Sequence, residues 1–295
     1  MMFFKKIWNP KTLIFNLIEK FGSDKLYLKV WFHSCMGYWM DFHNPQTFNE
    51  KLQWLKLYDR QDIYTTMVDK YAVKQYVENI IGKQYIVPTL GVWNSFDEIN
   101  FDLLPEQFVL KCTHDSGGLV ICKNKSKFQK SIAKSKIEKS LQFNYYKKSR
   151  EWPYKNVPHR IIAESFLEDD EYKELRDYKF FCFGGKVKAM FIVTNRQNNN
   201  CETCFDFFDR DFNHFFCING HPMAEHTPKK PKNFEEMIML AEELSQNLPH
   251  ARIDFFEVNG TTLFGEITLF HHGGGVKFDP IEIDYKFGSW LDLPK

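Results

Sequence analysis

The stretch that most restricts the fold is ARIDFFEVNGTTLFGEITLF, residues 251–270. Two runs of alternating apolar residues flank Asn259-Gly260, the dipeptide that closes antiparallel hairpins. Two acids, Asp254 and Glu266, lie inside these otherwise apolar strands. A charge there is costly unless it is paired or bound to a metal. A two-residue turn kept in strict register opposes Asp254 to Gly265 and sends Glu266 to the other face. A three-residue loop, or a bulge with the same effect, opposes Asp254 to Glu266 and Arg252 to Thr268. The second register collects Ile253, Phe255, Ile267 and Leu269 on one face, and Arg252, Asp254, Glu266 and Thr268 on the other. That segregation favours it. Two opposed carboxylates repel, which points to a bound cation, and oxygen ligands favour Mg²⁺. Solvent-facing acids neutralised by Arg252 and nearby lysines are the competing reading.

A second stretch poses a related question. In FVLKCTHDSGGLVICKNKS, residues 108–126, an apolar run reaches Lys111 just before a turn holding Ser116, Gly117 and Gly118. Glycines let backbone N–H groups approach anionic oxygens, and a lysine supplies charge, so phosphate binding is one reading. Taken alone, the stretch reads as well as a solvated hairpin.

Composition narrows the classes. Net charge is +1, from 39 basic and 38 acidic residues. That leaves no electrostatic footprint for nucleic acid. Hydrophobic residues make up 43% of 295 positions, enough for a sizeable core in two or three lobes. Seven cysteines spread along the chain suggest reduced thiols and a cytoplasmic setting. No apolar run reaches the length of a membrane span. The basic, apolar opening MMFFKKIWNPKTLIFNLIEKFG reads as a docked helix, with peripheral association with membrane-bound machinery the alternative.

Helical periodicity dominates residues 10–82. Thr47 and Glu50 have capping-box spacing, and Gly82 suits a helix end. Strand, loop, strand, a lysine-rich helix and the strand RIIAESFL follow. LRDYKFFCFGGKVKAMFIVTNR reads as a hairpin turned at Gly184-Gly185, and NFEEMIMLAEELSQNL as an amphipathic helix. The polar, Asn- and Pro-bearing residues 197–232 read as loop-rich. Strands and helices mix without strict alternation, so the expected class is α+β. The expected division is a helical N-terminal lobe at 1–104, a small lid at 105–167 and a catalytic lobe at 168–295.

The segments NPQTFNEKLQWLKLYDR, VDKYAVKQYV, VPTLGVWNSFDEI, FVLKCTHDSGG, IIAESFL, DYKFFCFGGKV and RIDFFEVNGTTLFGEITL together resemble the TupA-like ATP-grasp family, named for teichuronopeptide synthesis. The resemblance implies the ATP-grasp fold, ATP and Mg²⁺, and formation of an acyl phosphate that an amine then displaces. It implies that Lys70 and Lys111 hold ATP phosphates under a flap of His114, Asp115, Ser116, Gly117 and Gly118. It places Glu164 at the hinge, near adenine and ribose, and Asp254 and Glu266 on the metal. Thr268 stands where the family commonly has a third, Asn ligand, and a hydroxyl is a poorer one. Arg252, Lys179 and Arg196 are the cations aimed at the substrate carboxylate or the moving phosphoryl group. One of His271 and His272 could lie beside the acyl phosphate. The implied substrates are an amino acid or peptide and a sugar-acid glycan or its precursor, joined in surface-polysaccharide assembly.

Competing signals are weaker. CETC at 201–204, with His214, Cys217 and His221, fits no standard zinc spacing. DRD at 209–211 resembles the acidic triplet of sugar-nucleotide transferases, but a charged loop forms such triplets freely. It reads as a turn. A nucleotide-sugar-dependent glycosyltransferase and a nucleotide-binding module without turnover are the alternative functions.

Overall fold

The computed structural model describes residues 17–172, 174–196 and 201–295. The opening stretch up to residue 16 lies outside the described residues. No helix among those described is long and apolar enough to cross a membrane.

Helices come first among the described residues, including α1 (Asp24–Met36), α2 (Phe48–Tyr58), α3 (Ile63–Val68) and α4 (Ala72–Ile81). The capping box forms as the spacing indicates. Thr47 Oγ1 accepts the Glu50 N–H at 3.2 Å, and Glu50 Oε2 accepts the Thr47 N–H at 3.0 Å. Helix α4 stops at Gly82, whose φ of 105° is one that L side chains rarely adopt. Helix α1 packs a small cluster of its own around Tyr27, Leu28, Phe32 and Met36, but the apolar faces of α2 and α4, with Phe48, Leu52, Val73 and Val77, do not. They enter the core of the C-terminal sheet, the largest apolar surface within reach.

A four-stranded antiparallel sheet comes next. It comprises β1 (Thr89–Trp93), β2 (Phe108–Cys112), β3 (Leu119–Cys122) and β4 (Ile161–Ser165), in the order β1-β4-β2-β3. Strand β1 comes from residues expected in the N-terminal lobe, because its free edge pairs with β4: Trp93 lies opposite Ile161 and Val92 opposite Ile162. Phe108, Leu110 and Ala163 bury one face of this sheet under Ala133 and Ile137 of α5 (Lys130–Leu141). Val109 and Lys111 alternate onto the other face. A short helix, α6 (Tyr145–Ser149), follows.

The C-terminal sheet has six strands in the order β10-β9-β5-β6-β7-β8. These are β5 (Asp177–Phe183), β6 (Lys186–Thr194), β7 (Cys204–Asp209), β8 (His214–Phe215), β9 (His250–Val258) and β10 (Thr261–Thr268). Strands β7 and β8 occupy the region expected to be loop-rich. The apolar residues of CFDFFD are buried against the sheet, and its one central acid, Asp206, is met by His214 at 3.2 Å. Polar neighbours had hidden this strand. DRD is the β7–β8 turn: Asp209 Oδ1 accepts the N–H groups of Asp211 and Asn213 at 2.9 and 2.8 Å. Helices α7 (Phe234–Leu244) and α8 (Glu282–Trp290) cover the sheet. Phe48, Phe181, Phe183 and Phe287 interlock at centroid distances of 5.1–6.1 Å, so some of the many phenylalanines form the main core.

Candidate active site

The two sheets face each other across a cleft of about 300 Å³. Its floor is the C-terminal sheet. The β9–β10 hairpin turns in two residues at Asn259-Gly260, and a bulge at Gly265 then shifts the register by one. Asp254 therefore lies opposite Glu266, and Arg252 opposite Thr268. A Cβ at Gly265 would stand 3.0 Å from the Asp254 carbonyl oxygen, so the bulge suits a residue without a side chain. On its other side Asp254 pairs with Lys179 of β5. Lys179, Asp254 and Glu266 thus form one row across three strands.

These charges are tightly knit. Arg252 Nε and Nη2 donate to the two oxygens of Asp254, both at 2.7 Å, and Nη2 also reaches Glu266 Oε1 and Thr268 Oγ1 at 2.9 Å. Lys179 Nζ donates to Asp254 Oδ2 and lies 3.4 Å from Asp177. Arg196 bonds Asp177 at 2.7 Å. Burial raises the Asp254 pKa, and its two cations reverse this only in part. Burial raises Glu266 too, but Lys179, Arg252 and Lys70 together pull it below the usual carboxylate range.

The opposite wall carries lysines. Glu164 on β4 is buried and accepts Lys74 on one oxygen and Lys111 on the other, each at 2.5 Å. Burial pushes its pKa up, and the two lysines more than reverse this. Lys70, lowered by burial, donates to the Asp115 carbonyl of the flap. The Asp115 side chain ties that flap down, accepting from the Gly118 N–H at 3.1 Å and from the Ser140 hydroxyl. Ser116 and Gly118 line the cleft; Val87, Val109, Ile121 and Leu167 form its apolar end.

Most of the residues singled out in the sequence meet here: Lys70, Lys111, Ser116, Gly118, Glu164, Lys179, Arg196, Asp254 and Glu266 line one cleft. Arg252 lies beneath them. His114 is placed elsewhere. Its ring stacks on His159 at 3.6 Å, 5° from parallel, and Nε2 meets the Ser140 carbonyl at 3.1 Å. That side chain faces away from the cleft. The Glu164 carboxylate is engaged by lysines rather than open toward a ribose. His271 lies under Arg252 on the 3-10 turn His271–Gly274, not on a strand. Two cleft residues escaped the sequence reading. Lys74 follows Lys70 by one helical turn, and Asp177 precedes Lys179 by two on β5, so the same spacing rules place both.

The donor set fits Mg²⁺. Asp254 and Glu266 bring hard oxygens from directly paired residues: Glu266 is 45% exposed toward the cleft, whereas Asp254 is 1% exposed with both oxygens held by Arg252 and Lys179, so a cation would share it with them. Among the described residues, the hydrogen bonds to Glu266 land on Oε1. Thr268 Oγ1 accepts from Arg252 and lies 3.3 Å from Glu266. It serves the ion-pair network. Neither CETC nor its histidines form a metal cluster among the described residues: Cys204 is buried and the His221 ring packs on Phe205 at 4.4 Å.

Paired antiparallel sheets enclosing an excess of lysine on one side and a balanced row of acids and cations on the other make an α+β architecture with one charged cleft. The family described as TupA-like ATP-grasp matches residues 50–292, and the chain belongs to that family, with its ATP-grasp fold. None of the curated proteins matches. Among solved structures, it is similar to D-alanine–D-alanine ligase from Bacillus anthracis complexed with ATP, at 13% identity and TM-score 0.40, covering 69% of this chain and 54% of that one. It is also similar to the Helicobacter pylori D-alanine–D-alanine ligase, at 14% and 0.46, covering 85% and 68%. ATP-grasp ligase PsnB, complexed with minimal precursor, Mg and ADP, matches at 7% and 0.39, covering 75% and 57%. The chain spans little more than half the length of the Bacillus anthracis ligase.

Proposed function

We propose that this protein is an ATP-dependent carboxylate–amine ligase that joins an amino acid or peptide to a sugar acid in surface-polysaccharide assembly. The observation that carries the reading is the row Lys179–Asp254–Glu266 facing Lys70 and Lys111 across one cleft. Family membership supports ATP as the nucleotide. Val87, Val109, Ile121 and Leu167 offer the apolar surface an adenine ring needs. Lys70, Lys111 and the Ser116–Gly118 backbone then meet the phosphates.

Asp254 and Glu266 would hold Mg²⁺, which supplies charge neutralisation on the phosphate oxygens. The chain's own cations do the rest. With Asp254 shared in this way, Lys179 and Arg252 would have donors free to face developing negative charge. A substrate carboxylate oxygen attacks the terminal phosphorus; the bond to the ADP oxygen breaks and ADP leaves. The amine nitrogen then attacks the acyl carbon, loses a proton and expels inorganic phosphate.

Nucleotide choice tests the reading. ATP with Mg²⁺ should raise the melting temperature, and UDP-sugars should leave it unchanged. Protection by UDP-sugars alone would replace the ligase with a glycosyltransferase.

A further inference from the structure

Arg252 is held from two sides. Nε and Nη2 grip the carboxylates, while Nη1 lies 2.9 Å from His271 Nδ1. A guanidinium can only donate, so His271 Nδ1 must accept and carries no proton. In a neutral ring the proton then sits on Nε2, which lies 2.8 Å from Asn219 Oδ1. Asn219 Nδ2 donates to the carbonyls of Val276 and Lys277 at 3.3 and 3.1 Å, which fixes the amide with Oδ1 toward the ring. Every group in this chain has one permitted role.

Nothing in it is loose. Asn219 is 0% exposed, His271 1% and Arg252 6%. The turn that carries His271 is pinned from α2: Gln53 Nε2 donates to the Gly273 and Gly274 carbonyls at 2.9 and 3.0 Å, and Lys56 Nζ to Gly273 at 2.8 Å. Burial, His272, Arg252, His250 and Lys179 all press His271 toward its neutral form. Phe181 and Phe191 close the remaining sides of its ring.

We infer that His271 and Asn219 are positioning residues that would hold the Arg252 guanidinium plane toward phosphate when a cation shares its carboxylate partners. The inference rests on the reading of Arg252 as a stabiliser of developing charge. When Asp254 and Glu266 bind a cation, Arg252 loses much of its carboxylate contact. The His271 bond on Nη1 and the Thr268 hydroxyl on Nη2 are then the anchors that remain, and His271 fixes the guanidinium from the side away from the carboxylates. A leucine or phenylalanine side chain would fill space there but accept nothing.

Two measurements on the full chain test this. Long-range ¹⁵N–¹H correlation of the histidine rings should find His271 with its proton on Nε2; a proton on Nδ1 would overturn the relay whatever the enzyme does. Calorimetry with MgADP, and with MgADP plus aluminium fluoride as a mimic of the transferring phosphoryl group, supplies the second readout. His271→Phe should lose on the order of 10²-fold of the affinity gained with fluoride while MgADP alone binds within about twofold of native, and Arg252→Lys should lose at least as much of that gain. Asn219→Leu should lose about tenfold, and His271→Asn, whose Oδ1 can stand in for Nδ1, should recover most of the gain. If His271→Phe and Asn219→Leu keep the full gain while Arg252→Lys loses it, the relay is wrong. If Arg252→Lys also keeps it, the reading of Arg252 itself fails, and the ring tautomer still judges the relay geometry alone.

Discussion

The two walls of the cleft handle charge differently. On the small sheet, Lys74 and Lys111 share one carboxylate, Glu164, and Lys70 Nζ stands beside them with, among the described residues, a flap carbonyl as its one hydrogen-bond partner. Cation is in excess there. On the large sheet, Asp177, Asp254 and Glu266 are matched by Lys179, Arg196 and Arg252. That wall is balanced, and much of it is buried. An excess of lysine waits for an anion. A balanced, buried network holds its geometry and can exchange partners when a metal and phosphates arrive together.

Breaking the balanced wall should have the largest effect. Asp254→Asn should lower turnover by about 10²-fold or more, because the metal and both cations lose their shared partner. It should also destabilise the fold modestly, since Arg252 and Lys179 stay buried but keep Glu266 and Asp177 as charged partners. Steady-state kinetics and urea unfolding check the two halves. An Asp254→Asn protein with native turnover would remove the carboxylate row from the chemistry.

On the lysine wall, the expected loss is in binding rather than folding. Lys111→Ala should weaken ATP about tenfold, or roughly 1.4 kcal/mol, with the melting temperature shifted by only a few degrees. The Lys111 side chain is 27% exposed, so little packing goes with it. Unchanged ATP affinity by calorimetry would assign Lys111 to Glu164 alone.

A further effect, whose slope has only begun near neutral pH, separates the walls. His250 is 2% exposed beneath the large sheet, and burial, with Arg252 adding, pushes its pKa down to about 3. Unfolded, it titrates near 6.5. The unfolded chain therefore binds a proton that the folded chain refuses, so stability is intact above pH 6.5 and falls as pH drops toward 3. The slope should approach about 1.4 kcal/mol per pH unit. Glu164, with its pKa lowered, should contribute only lower down: its stabilisation is present above the unfolded value of 4.5 and lost as pH falls through its folded one. Unfolding titrations should show a shallower upper window in His250→Phe, with His271 and His272 supplying the remainder, and an unchanged one in Glu164→Gln. An unchanged upper window in His250→Phe would place that titration elsewhere.

Local pattern carried far in this chain. The Asp254–Glu266 pairing was readable because one register separates polar from apolar residues and the other scrambles them, although the device proved to be a Gly265 bulge rather than a longer loop. The α2 capping box and the Gly184-Gly185 turn were readable for the same local reason. What escaped depends on distant partners. Strand β1 belongs to the small sheet because β4, some seventy residues later, leaves an edge for it. Strand β7 lay hidden among polar neighbours. The His114 orientation is set by His159 and Ser140, which no spacing rule connects to it. Asn219 had no signal at all before the fold brought it to His271.

The most direct test of phosphoryl transfer to a carboxylate is to follow its oxygen. Purified protein is supplied with ATP, Mg²⁺, amino acids and uronic-acid glycans labelled with ¹⁸O in the carboxylate. The nucleotide and phosphate products are then resolved by mass. The account predicts ADP and inorganic phosphate in equal amounts, with one labelled oxygen carried from the carboxylate into the phosphate. AMP with pyrophosphate, or phosphate released without the label as amide forms, would contradict it.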